Sequence, residues 1–79
     1  MSHSYRWCKY TITYTQPNGK VWDKAWAKQV INDGQIDAFK RQCQGIFLRE
    51  FPGVNLNGPQ VRTSFQDGFK NQPPHTKLL

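Results

Sequence analysis

An alternating run from Tyr5 to Thr15, closed by Pro17-Asn18-Gly19, constrains this chain more than any other feature. Tyr5, Trp7, Thr11, Thr13 and Thr15 fall on one side of the run, and Cys8, Tyr10, Ile12 and Tyr14 fall on the other. Aromatic and β-branched residues at a period of two specify a strand with two unlike faces. Asparagine and glycine tolerate the positive φ of tight turns, so the chain is expected to double back at Pro17-Asn18-Gly19 and form a hairpin.

Two turns fit those three residues, and they differ by one position in register. A two-residue Asn18-Gly19 loop sets Ala25 opposite Ile12 and Ala27 opposite Tyr10, with small side chains where a helix would approach. A three-residue loop, with Pro17 at the second position of a type I turn, sets Trp22 beside Tyr14 and Trp26 beside Tyr10, with lysines among them. The shorter loop keeps each face coherent and is the expected register.

The returning segment also fits two periods. As a strand, Val21 to Lys28 puts Lys20, Trp22, Lys24, Trp26 and Lys28 on one face. As a helix it sets a tryptophan stripe opposite a lysine stripe. The strand is expected, because the turn before it closes hairpins and no cap with Glu or Gln three residues later precedes it.

Asn32-Asp33-Gly34-Gln35 carries the signature of a helix start, with Asn32 or Asp33 as cap and Asp37 near the positive end of the dipole. Ile36, Phe39, Cys43, Ile46, Phe47 and Phe51 recur at helical spacing, opposite Lys40, Arg41, Gln44 and Arg49. Pro52-Gly53 ends the helix. After a Gly/Asn/Pro loop, Gln60 to Phe65 alternates as a short third strand, with Val61, Thr63 and Phe65 on one side. That strand is expected beside the first, reached by a right-handed crossover over the helix.

The expected fold is therefore α+β, a β-β-α-β domain over residues 1–66 with one amphipathic helix on an antiparallel hairpin and a short third strand. Residues 67–79, with Gln72-Pro73-Pro74-His75, are expected to form a flexible polar tail that Phe69 anchors to the core.

Charge points to a class of partner. Eleven basic residues face five acidic ones, and Arg6, Lys9, Lys20, Lys24 and Lys28 are opposed by Asp23 alone before the helix begins. In the expected register, Trp7, Lys9, Trp22, Lys24, Trp26 and Lys28 share the solvent face, with Lys20 at the turn and Arg62 on the third strand. Lysines neutralise phosphates, and flat rings stack on unpaired bases for ~1–3 kcal/mol each. A two-stranded ribbon can also enter a major groove. The expected partner is nucleic acid or a nucleoprotein complex. The alternative is an acidic protein surface, with the chain a small mobile-element-type inhibitor or adaptor anchored by exposed Trp, Tyr and Arg side chains. A homodimer through a sheet edge is a further possibility.

Other chemistries find little support. His3, Cys8, Cys43 and His75 lack paired metal-ligand spacing, so no metal or cofactor is expected. Asp33 and Asp37 are explained by helix capping, and no Gly-rich phosphate loop or HExxH motif is present. The expectation is a non-enzymatic module with no small-molecule substrate. Apolar runs reach only three residues, as in Ala25-Trp26-Ala27, far short of the ~20 that cross a bilayer. No secretion-type apolar segment opens the chain, so no membrane association and a cytoplasmic location are expected. Cys8 and Cys43 read as reduced core residues, with a disulfide as the alternative.

Overall fold

The computed structural model describes residues 5–79, and His3 lies outside the described residues. The chain runs β1 (Arg6–Thr15), β2 (Val21–Val30), α1 (Asp33–Glu50), β3 (Val61–Phe69) and β4 (Lys77–Leu78). The four strands form one sheet in the order β3-β1-β2-β4, which with the single helix makes the fold α+β. β1 pairs antiparallel with both β2 and β3, and β4 adds to β2 in parallel.

The turn between β1 and β2 is the three-residue form. The Gly19 N–H donates to the Gln16 carbonyl at 2.9 Å and the Gln16 N–H to the Lys20 carbonyl at 2.9 Å. Pro17 and Asn18 occupy the centre of the turn, and Gly19 takes φ +85°, a value that strains any residue with a Cβ. The Lys20 N–H donates to Asn18 Oδ1 at 3.0 Å and fixes the return. Tyr14 therefore pairs with Trp22, Ile12 with Lys24 and Tyr10 with Trp26. This corrects the two-residue loop and exchanges the faces of β2, because a slip of one residue moves every side chain to the other side.

Helix α1 starts as its sequence specifies. Asn32 Oδ1 accepts from the Gln35 N–H at 3.1 Å, and Gln35 Oε1 accepts from the Ile31 N–H at 2.7 Å. Two donors at the helix entrance are thus satisfied reciprocally. At the other end the Phe51 N–H donates to the Phe47 carbonyl at 2.9 Å, just before Pro52-Gly53. Phe39, Cys43 and Phe47 are buried, while Ile36, Ile46 and Phe51 pack at the margin.

The core fills the space between α1 and one face of the sheet. Cys8, Tyr10, Ile12 and Tyr14 of β1, Trp26 and Val30 of β2 and Val61 of β3 join the three buried helix residues. The ring of Trp22 lies 5.5 Å from that of Phe47 and 5.4 Å from that of Phe51, and Tyr14 packs edge-on to both phenylalanines at 5.6 and 4.9 Å. Such aromatic pairs add ~0.5–1.5 kcal/mol each beyond the area they bury. The expectation that Trp22 and Trp26 stand on a solvent face is thereby corrected. Trp26 is 1% exposed, and Trp22 closes the edge of the aromatic cluster.

The segment expected as a tail has a defined course. Strand β3 extends past residue 66 to Phe69, with a bulge opposite Trp7 and Cys8 in which Gly68 takes φ +97°. Pro73 is buried, Thr76 Oγ1 donates to the Pro73 carbonyl at 2.6 Å, and Gln72 Nε2 donates to Thr76 Oγ1 at 3.3 Å. Lys77 and Leu78 then pair with Trp26 and Ala27, and Leu79 packs on the core. Phe69 pairs with Trp7 on the face away from the helix, not with the core.

Candidate nucleic-acid interface

One face of the sheet carries the helix, and the other is open. β1 gives the open face Trp7, Lys9, Thr11, Thr13 and Thr15. Their ladder partners continue it with Asp23 and Ala25 on β2 and Arg62, Ser64, Gln66 and Phe69 on β3, while Ala27, in the same row of β2, is fully buried. The sequence dictates this side, since the opposite side of β1 is the apolar set that the helix buries. Thr11, Thr13 and Ala25 are half-buried small side chains that form a low floor between taller neighbours.

Residues 70–76 connect β3 at one edge of the sheet to β4 at the other. His75 and Thr76 border the same depression as Lys9, Thr11 and Ala25, so this connection passes over the open face as a strap. Between strap and sheet lies a cleft of about 540 Å³, open to solvent. A second depression of about 510 Å³ lies toward the hairpin turn, lined by Thr13, Thr15, Val21, Pro59, Gln60 and Arg62. The two follow one another along β1 and make a trough with a hydroxyl-rich floor.

The cations of this face are unpaired. Both ion pairs of the described residues belong to Arg6, whose Nε is 2.8 Å from Asp67 and whose Nη2 is 2.9 Å from Asp33. The guanidinium holds the Asp67 carboxyl below its ordinary range, and the two carboxylates raise Arg6 in turn. One arginine thus satisfies two of the five acids, leaving Asp23, Asp37 and Glu50 against ten other basic residues. Asp23 is the acid of the open face, where it shares a level with Thr13 and Arg62 across three strands.

The residues singled out in the sequence separate into groups. Trp7, Lys9 and Arg62 lie on the open face, with Trp7 half-buried. Lys24 belongs by register to the helix side, but β4 pairs only with Trp26 and Ala27, so Lys24 sits on a free edge and borders the cleft. Lys28 stays on the helix side, Lys20 is at the exposed hairpin turn, and Trp22 and Trp26 belong to the packed face. His75 and Thr76 join the site from the strap, Lys77 from β4, and Ser64 and Gln66 from β3. Gln66-Asp67-Gly68 interrupts the alternation of β3, so nothing local marks its extension to Phe69. Nothing local marks His75 to Lys77, whose place depends on the edge of β2.

Cys8 and Cys43 are both buried and free. Burial pushes their thiols up to about 11 and about 12, the opposite of what a thiolate nucleophile requires. No helix among the described residues is long and apolar enough to cross a membrane. Compared with protein-family models, with curated proteins and with solved structures, the chain matches none.

Proposed function

We propose that this protein is a small, non-enzymatic binding module that takes single-stranded nucleic acid along the open face of its sheet. The observation that carries the reading is the trough itself: Lys9, Lys24, Lys77 and Arg62 border a floor of threonine and alanine, with Asp23 as the opposing acid. Cations of this kind neutralise phosphates and release counterions, while hydroxyl and amide side chains reach sugars and base edges. Trp7 and Phe69, paired at the strap end, offer ring surface to an unpaired base.

Duplex DNA is a poorer fit. The hairpin does not project as a two-stranded ribbon, since β3 flanks β1 from Tyr14 to Trp7 and widens the surface beyond what a ~12 Å major groove admits. The inhibitor or adaptor reading loses two of its aromatic anchors, since Trp26 is buried and Trp22 packs against the core, and keeps Trp7 and Arg62. A cytoplasmic setting belongs to the same proposal and rests on the two free thiols.

The test is anisotropy of labelled single-stranded and duplex oligonucleotides at low salt. Single strands are expected to bind more tightly, with log K falling linearly in log salt by about 0.7 for each phosphate engaged. Failure of both to bind at ~50 mM salt, where electrostatic attraction is strong, removes the proposal.

A further inference from the structure

The cleft under the strap has features that the rest of the trough lacks. Its lysines come from three separate strands, Lys9 from β1, Lys24 from β2 and Lys77 from β4, and the strap adds the His75 imidazole. None of the three lysines has a carboxylate within ion-pair distance among the described residues, although Asp23 also borders the cleft. Like charges gathered around one cavity repel one another unless an anion is placed among them.

The strap is also held in a way a loose connection is not. His75 takes φ +60°, a positive φ at a non-glycine residue, and such conformations persist only where the surroundings impose them. The bonds from Gln72 to Thr76 and from Thr76 to the Pro73 carbonyl brace this turn, and the Leu79 N–H donates to the Ala27 carbonyl at 3.0 Å to fasten its far side. Ala25 and Thr11 leave the floor low beneath it. The volume of about 540 Å³ lies within the ~300–1,000 Å³ usual for ligand sites and exceeds what one phosphate needs.

We infer that this cleft is a phosphate subsite, in which Lys9, Lys24, Lys77 and His75 surround consecutive phosphate groups. The shared chemistry is a chain of phosphates, supplied by a nucleic-acid backbone or by a free polyphosphate. As a nucleic-acid subsite it rests on the function proposed above, and as a polyphosphate site it stands without it.

The experiment uses the whole chain, 15N-labelled, with tripolyphosphate as one probe and a single-stranded oligonucleotide as the other. Tripolyphosphate is expected to shift the amide signals of Lys9, Lys24, Ala25, Thr76 and Lys77, and the Lys24→Gln/Lys77→Gln variant, checked for native circular dichroism, should lose that response. In the oligonucleotide arm the same variant should lower affinity and reduce the salt slope by about 0.7 per phosphate contact removed. Lys24→Arg/Lys77→Arg should restore both responses, which separates charge from packing. The inference is overturned if tripolyphosphate leaves the cleft signals unmoved, or if the glutamine variant responds to it as the parent does. Oligonucleotide binding with an unchanged salt slope in that variant would overturn the nucleic-acid source while leaving the function proposed above standing. Tripolyphosphate binding without oligonucleotide binding would uphold the subsite and remove that function.

Discussion

Trp26 lies directly opposite Tyr10 in the β1–β2 ladder, and this one pairing decides which side chains the helix covers. Both rings face α1, so Trp26 belongs to the core and the other side of β2 carries Asp23, Ala25 and the buried Ala27. Trp26→Ala should therefore cost ~3–5 kcal/mol, as truncation of a buried aromatic does. That is a large share of the ~5–15 kcal/mol holding a small domain together. Urea unfolding followed by circular dichroism measures it, and Trp7→Ala, at a half-buried open-face position, should cost clearly less.

The register is held by a turn that requires glycine at one position. Gly19 has open space around it, so an added Cβ meets no neighbour and Gly19→Ala is penalised through its φ of +85° alone. A loss of ~1–2 kcal/mol is expected from the left-handed backbone. If the urea midpoint of Gly19→Ala equals that of the parent, the turn does not have this geometry.

Arg6 ties β1 to β3 and to the first turn of α1 through Asp67 and Asp33, and Asp67 also accepts from the Cys8 thiol at 3.4 Å. Because the folded state lowers the Asp67 carboxyl, its contribution is present above the unfolded carboxylate range near pH ~4 and is lost as pH falls through the lower folded value. Arg6→Gln should be less stable than the parent at neutral pH. The difference should shrink as pH is lowered through the carboxylate range, as urea midpoints at several pH values will show.

The buried thiols act at the other end of the scale. Folding raises Cys8 to about 11 and Cys43 to about 12, while an unfolded thiol ionises near ~8.5. Above that value the unfolded chain gives up protons that the folded chain keeps. Stability should then fall by about 1.4 kcal/mol per pH unit for each thiol. Between pH 8 and pH 10 the Cys43→Ala variant, less stable at the start, should show the shallower decline.

The hairpin, the helix and the existence of β3 were legible because each depends on neighbours in sequence: alternation from Tyr5 to Thr15, the Asn32 and Gln35 cap, and the Phe39, Cys43 and Phe47 stripe. Register was not, because both turns suit Pro17-Asn18-Gly19 and Lys24 and Lys28 run against the apolar pattern of a core face. Lys24 and Lys28 are tolerated there because long aliphatic stems can lie along apolar surface while the charge reaches water at a strand edge. That slip removed Trp22 and Trp26 from the expected interface but left Trp7, Lys9 and Arg62 in place. The strap was illegible for another reason. β4 is two residues long, and its hydrogen bonds come from a β2 edge distant in sequence, with no local period to announce it.

The most direct test of the account is to map where a single-stranded oligonucleotide touches the folded chain by amide chemical shifts. The shifts are predicted to concentrate on Lys9, Thr11, Thr13, Ser64, Gln66 and the Trp7 indole, across the open face. Shifts concentrated instead on Arg41, Gly45 and Arg49, along the solvent side of α1, would contradict it.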